Sequence, residues 1–156
     1  MYRMQRSEYN GAVCGQIEDA LVPEYRLVNP NGWKPGVSRC HQNVDRWVSE
    51  NTGQAAVRGW VFYMPYTFAT GESGLVFAAH SVVRDSNGNL YDITPIGDEG
   101  LRPSLLFVPH VGSEAEFWEW EKSNRCIYCP GPRETVPLDE EAPIVSEEES
   151  LFPDGD

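Results

Sequence analysis

The run Asp85-Ser86-Asn87-Gly88-Asn89 separates two segments rich in Val, Ile, Phe and Tyr. The length of the turn it forms decides which side chains of those segments share a face. Side chains alternate across a strand, so a shift of register by one residue moves all of them to the other side. A two-residue Asn87-Gly88 turn pairs Ser86 with Asn89 and puts His80 and Asp92 on opposite faces. A three-residue loop, with Gly88 at positive φ as a bulge, pairs Asp85 with Asn89 and sets Val82 opposite Asp92. His80 and Asp92 then share a face, two positions apart. Asp before a type I turn and Gly after it are both favoured, which selects this second register.

Around this hairpin the pattern predicts strands at Trp60–Tyr66, Leu75–Arg84, Leu90–Ile93 and Leu105–Val111, each bounded by Gly, Pro or Asn. The clearest helix starts near Ser38, a plausible N-cap, carries Val44, Trp47 and Val48 at helical spacing, and stops at Gly53. Counting back along its apolar face places Cys40 on the inward side of the first turn. Ser113 and Glu116 form a capping box that opens a second helix through Trp118 and Trp120 to about Asn124, with Phe117, Trp118 and Trp120 read as packing residues. The first 36 residues read as loop-rich, with a helical turn or two at Gln16–Leu21. The expected fold class is α+β, one helix packed across an antiparallel sheet.

At 156 residues the chain suggests one domain, residues 1–133. Residues 134–156 hold nine of the 24 acidic residues, no Lys or Arg, and Pro137, Pro143 and Pro153. That composition reads as a disordered or surface-draped acidic tail. The net charge of −12 repels phosphate backbones and anionic lipid, which argues against nucleic-acid or membrane partners. No stretch approaches the length of a bilayer span and the start carries no apolar signal core, so a cytoplasmic location is expected. The four cysteines, Cys14, Cys40, Cys126 and Cys129, then read as thiols.

Cys40, His80 and Asp92 occur in the order nucleophile, base, orienter. A helix N-terminus and a nearby imidazolium both favour the thiolate, the reactive form. Free backbone amides at the same helix end can donate to the oxyanion of a tetrahedral intermediate. A strand holds His80 rigidly for proton exchange with the thiol and a leaving group, and Asp92 on the next strand orients the ring. A second oxyanion donor is not identifiable, Gln16 and Asn31 being remote candidates, and His41 reads as a helix-surface residue.

The segments Ser38-Arg39-Cys40-His41-Gln42-Asn43-Val44, His80-Ser81-Val82-Val83 and Gly88-Asn89-Leu90-Tyr91-Asp92-Ile93-Thr94-Pro95 resemble the Cys–His–Asp core of the transglutaminase-like branch of the papain-like cysteine enzymes, and more loosely a set of uncharacterised bacterial and phage proteins. The likeness spans about residues 37–95. It implies a papain-like fold in which the Cys-bearing N-terminal helix packs on an antiparallel sheet bearing His and Asp. It also implies acyl transfer through a thioester, with Cys40 as nucleophile, His80 as general base and acid, and Asp92 as orienter. His41 and Val82 stand where that family usually differs. The expected activity is that of a cysteine hydrolase or acyltransferase, of amidase, deamidase or peptidase type. Its substrate would be an amide or ester, in a protein or peptide.

Two other readings compete. One is a non-catalytic binding or regulatory protein on the same scaffold. The other uses Cys126-Ile127-Tyr128-Cys129 as half of a zinc knuckle, with Cys14 and His110 as further ligands. A single such pair is a weak signature, so no cofactor is the leading expectation, with zinc behind it.

Overall fold

The computed structural model describes residues 4–123 and 125–131, and the acidic tail lies outside them. The order of elements is α1 (Arg6–Cys14), β1 (Glu24–Tyr25), α2 (Cys40–Glu50), β2 (Ala55–Thr67), β3 (Ser73–Arg84), β4 (Leu90–Asp92), β5 (Phe107–Pro109), α3 (Glu114–Lys122) and β6 (Ile127–Pro130). The class is α+β. Among the described residues the strands form one sheet in the order β1-β4-β3-β2-β5, with β6 also paired to β3. All pairings are antiparallel except β1 with β4, so the expected antiparallel sheet is in fact mixed. The two residues of β1 pair with the edge of β4, from which the whole α2-β2-β3 unit separates them in the chain. No local signal announces so short a parallel strand.

The hairpin adopts the three-residue-loop register. Val83 pairs with Tyr91 and Arg84 with Leu90, the Asp85 N–H donates to the Asn89 carbonyl at 2.9 Å, and Gly88 sits at φ 89°. The Asp85 carboxylate caps the loop by accepting from the N–H groups of Asn87 and Asn89, each at 2.9 Å.

The strand periodicity sorts the core. Ala56, Arg58 and Trp60 of β2 and Phe77, Ala79, Ser81 and Val83 of β3 point to one face, by their register. All three helices cover that face: α2 places Val44, Trp47 and Val48 against Val83, Tyr91 and Ile93, while α1 and α3 place Tyr9, Val13 and Phe117 against Trp60 and Phe77. The opposite face holds Val57, Val82 and Phe107. Trp60 is fully buried.

Helix α1 stands at the head of the expected loop-rich start, which keeps its helical turn near Gln16–Leu21 as a 3-10 turn at Ile17–Asp19. Only Tyr9 and Val13, one turn apart, face inward, a stripe too narrow to read as amphipathic. Consequently the Cys-bearing helix is the second helix and not the N-terminal one. Strand β6 was also hidden, because its alternation of buried Ile127 and Cys129 with exposed Tyr128 and Pro130 spans only four residues.

Candidate active site

The chain before α2 folds back on itself between Gly36 and Arg39, whose N–H donates to the Gly36 carbonyl at 3.3 Å. Ser38, at the tip of this turn, takes φ 63°. It is therefore not the helix cap. Arg39 occupies that position, and no side chain caps the helix. The reason lies in Asn43, a buried residue whose side chain grips the loop from inside the helix. Its Oδ1 accepts from the Gly36 N–H at 3.0 Å, and its Nδ2 donates to the Gly36 carbonyl at 2.9 Å and to Thr94 Oγ1 at 3.0 Å. This clamp holds the turn against the segment after β4. It leaves the first backbone amides of α2 without a capping side chain, and Cys40 is the first helical residue.

His80 lies on β3 in a gap in the ladder. β4 pairs with residues 83–84 and β6 with residues 74–77, so along this edge residues 78–82 are left without a strand partner. The His80 side chain is 13% exposed there. Across β3 the partner of His80 is Gly59, where a Cβ would stand 2.4 Å from the Val108 carbonyl oxygen and 2.5 Å from the Phe107 ring. Only glycine lets Phe107 lie this close, and its ring meets His80 edge-on at 6.4 Å.

His80 Nε2 is 2.8 Å from Asp92 Oδ2. Asp92 is buried, and its Oδ1 accepts from the Thr94 N–H at 3.0 Å. Arg102, on a 3-10 turn spanning Glu99–Ser104, reaches the same Oδ2 at 3.4 Å. Arg102 is itself held by Glu99 at 2.7 Å, by the Thr94 carbonyl at 3.1 Å and by stacking over Tyr25. With Nε2 on Asp92, the other ring nitrogen of His80 is available to the thiol.

The thiol of Cys40 interacts with the imidazoles of both His80 and His41, and each affects its titration. Burial by itself would push the thiol up, but hydrogen bonds from His41 and His80 and the charges of the two imidazoles prevail, pulling it down from 9.0 to about 6. For His80, burial acts downward and is outweighed by the hydrogen bonds to Asp92 and Cys40, so the ring is raised from 6.5 to about 10. Both shifts favour a thiolate–imidazolium pair at neutral pH.

The structure thus brings Cys40, His80 and Asp92 together and adds residues the sequence reading passed over. Asn43 and Thr94 lie inside the quoted motifs, three after the Cys and two after the Asp, so spacing could have flagged them; Arg102 had no signal. His41 is only partly exposed and turns inward from the helix. Its Nδ1 is 2.6 Å from Ser81 Oγ on the helix-covered face.

The zinc set does not assemble. Cys14 and Cys129 form a disulfide with Cα atoms 5.4 Å apart, tying α1 to β6. Cys126 and Cys129 are three apart along an extended segment and so point to opposite sides. His110 turns its Nδ1 to the Val111 carbonyl at 3.2 Å and its ring to Phe117. The disulfide corrects the reading of all four cysteines as thiols; Cys40 and Cys126 are free. It also removes the thiol argument for a cytoplasmic location, since such bonds persist in oxidising compartments. Among the described residues no helix is long and apolar enough to cross a membrane.

Comparison with protein-family models, with curated proteins and with solved structures finds no match for this chain.

Proposed function

We infer that the protein is a cysteine-dependent hydrolase or acyltransferase of transglutaminase-like, papain-like type, working on an amide or ester bond through a thioester on Cys40. The observation that carries this reading is a thiol at an uncapped helix start, against an imidazole that a buried carboxylate holds at 2.8 Å. The Cys40 thiolate attacks the carbonyl carbon and the C=O electron pair moves to oxygen. The Cys40 backbone N–H lies at the helix end where that oxyanion forms. As the carbonyl re-forms, His80 gives its proton to the leaving amine or alcohol. His80 then takes a proton from water, or from an acceptor amine, as that group attacks the thioester. Asp92 holds the ring in place through both steps.

The test needs no knowledge of the natural substrate. Iodoacetamide at pH 6–7 should modify Cys40 well before Cys126, whose thiol burial pushes up. p-Nitrophenyl acetate should acetylate Cys40 with release of p-nitrophenolate, and Cys40→Ala should abolish that release. Equal slow labelling of Cys40 and Cys126, with no acetyl adduct, would leave a non-catalytic binding protein.

A further inference from the structure

Helix α1 and strand β6 are locked side by side. Cys14 is joined to Cys129, and the Asn10 side chain accepts from the Tyr128 N–H at 3.0 Å while donating to the Tyr128 carbonyl at 2.9 Å. Beside this seam lies a cavity of about 630 Å³ whose walls include Arg6, Asn10, Trp120, Arg125, Cys126 and Tyr128. No carboxylate lines it. Arg125 lies over the Trp120 ring at 5.7 Å, and neither Arg6 nor Arg125 forms an ion pair among the described residues. Glu116 and Glu119 line an adjoining depression that the two arginines also border. There Glu116 is engaged by the N–H groups of Met4 and Ser113, at 2.8 and 3.0 Å.

Two guanidinium groups flanking aromatic walls fit the carboxylates of an acidic peptide. The chain carries such a peptide close by, since residues 134–156 hold nine acidic residues and no Lys or Arg. They follow β6, which supplies Tyr128 and adjoins Cys126 in the cavity wall. The first acidic cluster, Asp139-Glu140-Glu141, starts eight residues beyond Gly131. A flexible tether of that length spans roughly 15 Å, and the return from Gly131 along β6 to Tyr128 is about 10 Å. The cluster therefore reaches the cavity without stretching, at an effective concentration on the order of millimolar. The second cluster, Glu147-Glu148-Glu149, is twice as far along the chain and is held at about a third of that concentration.

We propose that this cavity is the docking site of the chain's own acidic arm, with Asp139, Glu140 and Glu141 pairing with Arg6 and Arg125 and covering Cys126. The docking is independent of the chemistry of Cys40. Cys126 reports it, because a covered thiol is alkylated only while the arm is away. The probe is iodoacetamide on the full chain, with labelling of Cys126 read by peptide mass spectrometry. Millimolar effective concentration against a millimolar affinity for two such ion pairs should slow Cys126 by about threefold to tenfold relative to an arm carrying Asp139→Asn, Glu140→Gln and Glu141→Gln. The difference should vanish as the Debye length falls from about 30 Å at 0.01 M salt to about 3 Å at 1 M; this salt series on the wild type needs no variant. Arg6→Gln with Arg125→Gln should speed wild-type labelling as much as neutralising the arm does. Loss of two cations near a thiol would by itself slow its reaction, because less of it is thiolate, so the sign separates uncovering from a local charge effect. Joining the arm and arginine substitutions should bring no further gain, since both break one contact. Additive gains would mean that the arm acts on the thiol by charge at a distance, and would overturn the docking. So would labelling that neither salt nor neutralising the arm accelerates, or arginine substitutions that leave the rate unchanged or lower it.

Discussion

Replacing Asp92 by Asn keeps the shape of the buried group and its acceptor for the Thr94 N–H, but removes the charge facing His80. Two unit charges about 4 Å apart interact by about 4 kcal/mol at an effective dielectric constant of about 20. Arg102 lies 3.4 Å from the same oxygen and already neutralises part of that field; taking roughly half leaves about 2 kcal/mol. The charge-assisted hydrogen bond at 2.8 Å is also lost, because the Asn amide turned toward the ring is a donor; that adds about 1.5 kcal/mol. At about 1.4 kcal/mol per pKa unit the sum lowers the His80 imidazolium by about 2 to 3 units. The acid limb should hardly move, since below neutral pH His80 stays protonated and the thiol still faces an imidazolium. The assay is an NMR titration of the His80 ring beside the pH dependence of Cys40 alkylation. The expected result is an imidazolium midpoint brought down from about 10 toward neutrality, with an unchanged onset of alkylation. A midpoint within about half a unit of wild type in a folded variant would refute the assignment of Asp92 as the group that charges His80.

Cys40 alkylation should switch on through about pH 6, not near the ordinary 9.0. A depressed acid contributes stability that is present above its unfolded value and lost as pH falls through the folded one. The urea-stability gap between wild type and Cys40→Ala should therefore narrow as pH falls from about 9 to about 6, with little of it left below. His80 has the opposite sign: its contribution is full below 6.5 and is lost as pH rises through about 10, so His80→Ala should converge on wild type in stability at high pH. The Cys14–Cys129 bond closes a loop of 115 residues, and replacing both cysteines by Ser should lower the unfolding free energy by about 3–5 kcal/mol. A loss under about 1 kcal/mol in urea melts would contradict that. Asn43→Ala removes three hydrogen bonds in the loop clamp. It should lower stability by about 2–3 kcal/mol and slow Cys40 alkylation at pH 6, with a rate equal to wild type counting against the clamp.

Local rules carried the reading furthest where a residue type has one dominant physical use. The Asp85–Asn89 loop sets its register through its own turn chemistry, so the shared face of His80 and Asp92 was legible before any tertiary contact was known. The Ser113–Glu116 capping box opens α3 as written, with the Ser113 oxygen accepting from the Glu116 N–H at 3.2 Å. Reasoning failed where a distant partner overrules local preference. Ser38 has the chemistry of a cap, yet Asn43 and Thr94 hold the preceding turn so that Arg39 takes the position. The spacing of Cys126 and Cys129 suits a metal knuckle until β6 pairs with β3 and sends the two sulfurs apart, one of them to Cys14.

What the amino-acid order determined by itself is the α+β class, the hairpin register and the shared face of His80 and Asp92, because turns, caps and side-chain alternation act over a few residues. Tertiary packing decided the rest. It opened the gap in the ladder beside His80, brought Arg102 to Asp92 across ten residues, and buried Ser81 between Arg58 and His41. A proton's place on an imidazole depends on which groups from other strands and helices surround it, and that is settled only once those elements have docked.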